Sequence, residues 1–225
     1  MTQQIETHVV KPETYFTLGG ENHVIIPNTS ENKMDTLIED FHSYIKSNVG
    51  TDLSEEDKDQ LYGNAQNFIK DLKRELRDAK FNFFLNRRQY SFLTTLVLQK
   101  MEYDVNTVFI AIEIRDLMVT LKDMEFKNDD EIKSCQMTPT EVTYLYHIIS
   151  THKVRGLTSD AFNFANILRR IGEISKIINY YDNSSKRLTE DLSTWAYNMG
   201  SVPVSDETTQ SQEVNEELYS EESDQ

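Results

Sequence analysis

The sequence predicts a mainly α-helical protein: an irregular multi-helix bundle with a small N-terminal β-hairpin and a disordered acidic C-terminal tail. Three observations carry this expectation. Apolar residues recur at three- and four-residue steps from Met34 to Met199, whereas strand-like runs flanking a glycine pair occur only before Pro27. At 38% hydrophobic and 27% charged residues the composition is that of an ordinary globular protein, not of a disordered or collagen-like one. After Arg187 there is no Lys or Arg, but ten carboxylates follow. Of the formal charge of −15, most therefore belongs to the C-terminal end, and the remainder of the chain is mildly acidic. The expected division is an arm with the hairpin at 1–27, a helical domain at 28–200 and a tail at 201–225.

Tyr15-Phe16-Thr17-Leu18 and His23-Val24-Ile25-Ile26 are short aromatic or β-branched runs separated by Gly19-Gly20-Glu21-Asn22. The glycines supply the positive φ that a tight turn needs, so the pair reads as a hairpin, ended by Pro27. Asn28 and Glu31 have capping-box spacing. Met34, Leu37, Ile38, Phe41, Ile45 and Val49 then make a helical stripe closed by Gly50. Ser54 is a second N-cap, with Glu55, Glu56 and Asp57 in the electropositive first turn. Leu61, Ala65, Phe68, Leu72, Leu76, Ala79 and Phe83 extend this helix as one long stripe, which Asn86-Arg87-Arg88 breaks or bends.

Tyr90, Leu93, Leu96, Val97 and Met101 start another helix. Val108 to Ile114 could be a strand, but Ile110, Ile114, Leu117, Met118 and Leu121 carry a helical stripe beyond strand length, which favours a buried helix. Lys127 to Gln136 reads as a charged loop holding Cys135. Thr138-Pro139-Thr140-Glu141 combines a Thr cap, Pro at the first helical position and Glu three residues after the cap, and opens a helix closed by Gly156. Thr158-Ser159-Asp160 caps the next, lined by Ala161, Phe164, Ala165, Leu168, Ile171, Ile174 and Ile178. A last short helix is expected over Leu188–Met199. Beyond Ser201 the apolar content collapses, so the ordering entropy is not offset and the segment is expected to be disordered.

The N-terminal MTQQIETHVVKPE has no basic start followed by an apolar stretch, and no apolar run approaches the roughly 20 residues of a membrane span. Neither a signal peptide nor a span is expected. Asn28-Thr29-Ser30 and Asn183-Ser184-Ser185 are glycosylation-like triplets read instead as helix-boundary residues. The lone Cys135 cannot form an internal disulfide and agrees with a cytoplasmic location.

Candidate chemistry is sparse. Glu39 and His42 have the Glu-x-x-His spacing of di-iron bundles, but no second pair accompanies them, and a solvated polar face is preferred. His147 and His152 are five apart and do not share a helix face; His147 reads as a partly buried core histidine. Cys135 lacks an identifiable base. Gly19-Gly20 lacks the rest of any phosphate loop, and the acid clusters near Glu55 and Asp129 lack the ligand alternation of a calcium loop. No metal and no cofactor is expected. Lys73, Arg74, Arg77 and Lys80, continued by Arg87 and Arg88, form the one basic concentration and a possible nucleic-acid face, though Asp71, Glu75 and Asp78 interrupt it. In the tail, Leu218 and Tyr219 among Glu216 and Glu217 could dock on a protein partner.

The function expected from this pattern is non-enzymatic: a structural or interaction protein, subunit or adaptor of a larger hetero- or homo-oligomeric assembly. The composition, rich in Asn, Ile, Tyr and Lys, is of the kind AT-rich genomes encode, many bacteriophage genomes among them, so a virion or assembly component is one form of this expectation. The alternative is an accessory factor of nucleic-acid machinery using the basic helix face and the acidic tail.

Overall fold

The computed structural model describes residues 10–48, 53–100, 108–122, 125–151 and 159–198. Within them the chain is mainly helical, with the N-terminal hairpin in place. Strands β1 (Tyr15–Leu18) and β2 (Glu21–Val24) pair antiparallel, Tyr15 opposite Val24 and Leu18 opposite Glu21. The turn is shorter than the sequence suggests. Gly19 (φ 63°) and Gly20 (φ 86°) make it alone, both in the left-handed region that a two-residue hairpin loop demands, so Glu21 and Asn22 belong to the strand.

Helix α1 (Asn28–Ser47) begins after Pro27, and no side chain caps it. The expected Asn28–Glu31 box does not form because the helix already starts at Asn28, with Pro27 at the cap position; Glu31 holds the Lys11 ammonium of the N-terminal arm, at 2.7 Å. Helix α2 (Glu55–Asp78) has the Ser54 cap as expected, its hydroxyl accepting from the Asp57 N–H at 3.2 Å.

Here the structure departs from the long-helix expectation. The helix stops at Asp78, and Phe81–Asn86 is a strand, β3, followed directly by α3 (Arg87–Lys100). Phe81, Phe83 and Leu85 are buried and alternate with half-buried Asn82, Phe84 and Asn86. That is a period of two, and Phe83 fitted the helical stripe only because a four-residue step from Ala79 satisfies both periods. The segment read as a loop around Cys135 is its partner: β4 (Ile132–Met137) runs antiparallel to β3, with Cys135 opposite Phe83 and Met137 opposite Phe81. Met137 leads directly into the capping box, in which Thr138 N–H donates to Glu141 Oε2 at 2.6 Å and Glu141 N–H to Thr138 Oγ1 at 3.3 Å. The box opens α5 (Pro139–Ser150).

Val108–Lys122 is helical, as expected, and forms α4. The largest surprise is α6. One helix runs from Ser159 to Asn198, 40 residues and about 60 Å at 1.5 Å per residue, where two were expected. Asn183-Ser184-Ser185 is not a boundary. Ser184 Oγ donates to the Tyr180 carbonyl at 2.8 Å and Ser185 Oγ to the Asp182 carbonyl at 2.9 Å, so both hydroxyls are absorbed by the helix they might have ended. The buried stripe Ile167, Ile171, Ile174, Ile177, Tyr181, Leu188, Leu192 and Trp195 makes α6 a spine that touches α1, α2, α3, α5 and β3. Gly50, Gly156, Thr158 and the tail from 201 onward lie outside the described residues.

Candidate functional site

The sequence-selected chemical groups are dispersed. Glu39 and His42 are both exposed on α1, and no cluster of metal-binding side chains occurs among the described residues. His147 is exposed on α5 and not a core histidine, because its neighbours Ile148 and Ile149 take the inward positions. Cys135 is 7% exposed in β4, and burial pushes its thiol up to about 12. A thiol so far from ionising is no nucleophile near neutral pH.

The basic residues are exposed but largely neutralised. Arg74 pairs with Asp71 at 2.9 Å and Arg77 with Asp78 at 3.0 Å. Arg88 reaches Asp129 at 3.1 Å, with Arg87 at 3.8 Å from the same residue, tying the start of α3 to the approach to β4. Lys73 and Lys80 are exposed. The four arginines at the end of α2 and the start of α3 are therefore already answered by carboxylates, whereas no ion pair to Lys73 or Lys80 is found among the described residues. Phe81 and Phe83, adjacent in sequence, are core residues that no base could reach. Glu216, Glu217, Leu218 and Tyr219 lie outside the described residues.

The structure draws attention to surfaces instead. Helix α4 carries apolar side chains on its buried face and, with exposed Asp116 among them, on the opposite one. Ala111, Ile114 and Met118 are buried, with the Met118 carbonyl accepting from the Tyr90 hydroxyl at 3.0 Å. Phe109 (73% exposed), Ile112 (40%) and Val119 (54%) fall within about 80° of one another on the other side, facing water. The sequence showed the apolar run Val108–Ile112 but could not say that Phe109 and Ile112 would be left exposed.

A second surface is a groove of about 840 Å³ between the N-terminal arm with β1 and one face of α6. Arg169, Lys176 and Tyr180 form part of the helical wall, and Tyr15, Phe16 and Thr17 the strand wall. Two polar clusters lie beside these walls, the first partly buried and the second buried. In the first, Tyr181 on α6 donates to Asp35 on α1 at 3.0 Å, and Lys11 of the arm bonds Asp35 at 2.5 Å as well as Glu31. Burial would lower the Lys11 pKa, but the two carboxylates outweigh it and leave it raised; burial, then the nearby Asp35 charge, pushes the Tyr181 phenol far up. In the second, Arg170 is 5% exposed and donates to the Phe84 carbonyl and, at 2.7 Å, to Gln89 Oε1. Its Nε has no hydrogen-bond partner, and no ion pair to it is found among the described residues. Burial and neighbouring Arg169 lower its pKa to about 10, so it stays a cation at neutral pH. Both guanidinium groups sit over the Phe16 ring, Arg169 at 5.1 Å and Arg170 at 5.6 Å. Sequence reasoning passed over Arg170; its three- and four-residue spacing from Ile167 and Ile174 was the signal that it would point inward.

Comparison with protein-family models, curated proteins and solved structures finds no match to this chain. No helix among the described residues is long and apolar enough to cross a membrane.

Proposed function

We propose that this protein acts by contact, as a non-enzymatic helical subunit or adaptor of a larger assembly in the cytoplasm or in a virion, with the outward face of α4 as its docking surface. The observation that carries this reading is the exposure of Phe109, Ile112 and Val119 as one stripe opposite the buried face of the same helix. A surface helix needs one apolar stripe to hold it on its own core. A second stripe in water is an unmet hydrophobic demand, and covering it with another protein recovers about 25 cal/mol for each Å² of apolar area removed from solvent. The carboxylate pairing of Arg74, Arg77, Arg87 and Arg88 weighs against the alternative of a nucleic-acid accessory factor.

The test is the double substitution Phe109→Ser and Val119→Ser. Both side chains are solvent-facing, so thermal stability should shift by no more than about 0.5 kcal/mol for each. Light scattering after size exclusion, with affinity capture from the source cells, should show loss of self-association or of a specific partner. Retention of every associated species by the double variant would reject the proposal.

A further inference from the structure

The groove between β1 and α6 has the features of a peptide-binding site. Tyr15, Phe16 and Thr17 all line it. Consecutive residues of a strand point to opposite faces, so a cavity that meets three in a row runs along the strand's edge. Among the described residues that edge is open: β1 pairs only with β2, and the Ile25 N–H to Thr14 carbonyl bond (2.8 Å) continues the ladder through Thr14, Phe16 and Leu18. In this antiparallel register the backbone groups of Phe16 and Leu18 face β2, and those of Tyr15 and Thr17 face outward into the groove. β2 is turned the other way, toward β3: the Asn82 N–H donates to the Ile25 carbonyl at 2.7 Å, and the His23 and Phe84 rings lie 4.9 Å apart.

The opposite wall supplies charge. Glu173 answers Lys176 at 2.8 Å, but Arg169, which lies over the Phe16 ring, has no carboxylate paired to it among the described residues; Arg170 is buried behind this wall and does not line the groove. An unpaired guanidinium at the groove, with a second cation buried behind it, favours an anionic partner. The helical wall from Arg169 to Asn183 is about 21 Å long at 1.5 Å per residue, which matches about six residues of extended chain at 3.3 Å each.

We propose that this groove takes the chain's own segment Glu216-Glu217-Leu218-Tyr219-Ser220-Glu221, added as a third strand on the β1 edge with its carboxylates toward Arg169. The charge is complementary: residues 199–225 contain eight carboxylates and no Lys or Arg. The reach suffices. From Asn198, where α6 ends, the groove lies back along the helix by about 22 to 44 Å, and the 18 residues from Asn198 to Glu216 span up to about 60 Å when extended. Leu218 and Tyr219 supply the apolar area that a bare run of acids would lack. Docking in cis raises the effective concentration of this segment above that of any competing peptide.

The experiment uses the full chain with Cys135→Ala and Ser223→Cys, spin-labelled at position 223 and isotope-labelled for amide detection. Docking in cis predicts loss of amide intensity at residues 15–17 and 169–183, with residues 108–122 unaffected. Raising the salt to about 1 M should restore the signals, because it shortens screening to about 3 Å. Arg169→Glu should restore them at low salt, and since Arg169 is exposed, its amide spectrum should otherwise be that of the parent. Mixing spin-labelled chains with isotope-labelled, unmodified ones should give no loss. Loss in that mixture means docking between copies and overturns the proposal. So does an unaffected 15–17 edge, in which case the groove belongs to residues 1–9 or to a separate molecule.

Discussion

Cys135 shows how far burial at one residue changes chemistry. Read from sequence it is a lone thiol in a charged loop; in β4, opposite Phe83, it is a small apolar residue. Because its native pKa, about 12, lies above its ordinary value near 9, folding is supported by the neutral thiol below pH 9, and that contribution is lost as pH rises toward 12. The alkaline loss of stability between those limits should therefore be shallower in Cys135→Ala, by about 1 kcal/mol per pH unit, in denaturant titrations. In the folded protein near pH 8 the thiol should resist alkylation and react only after unfolding. Thr138 is the opposite case, a residue whose role was fully legible, because Thr, Pro and Glu at cap spacing admit one local solution. Thr138→Ala should cost about 1 kcal/mol in thermal or denaturant unfolding, by orphaning the Glu141 N–H.

At the scale of elements, what could be read followed from whether a local signal was unambiguous. The Gly19-Gly20 hairpin, the Ser54 cap and the helix from Val108 were legible, since turn chemistry, capping and stripe length do not depend on distant residues. β3 and β4 were not. A six-residue strand whose partner begins 46 residues later leaves only its period as evidence, and Phe83 lay where both periods agree. The unity of α6 was hidden in the same way, because Asn183-Ser184-Ser185 has a boundary composition whose hydroxyls are in fact satisfied within the helix. Continuity of α6 makes a specific prediction. Gly172 lies inside it, and a Cβ there meets nothing within 4 Å. Gly172→Ala should therefore stabilise the protein by roughly 0.5–1 kcal/mol through lower unfolded-state entropy, seen as a higher unfolding midpoint.

At the scale of the whole molecule, α6 organises a core in which α1, α2, α3 and α5 bury their stripes, and α4 attaches through α3 and α5 while keeping an apolar face outward. The candidate sites of the sequence reading were chemical or electrostatic, and the fold disperses or neutralises those within the described residues. The surfaces that remain, α4 and the β1–α6 groove, were not legible, since each depends on which residues the fold leaves uncovered. The central claim is that the protein works through α4. A photo-crosslinking residue placed at position 109 tests it most directly, against one at the exposed Glu56 on α2 as control, in the native cellular setting. Contact through α4 predicts one discrete cross-linked species from position 109, absent from position 56 and abolished by Val119→Ser. The same products from both positions, or none from position 109, would contradict it.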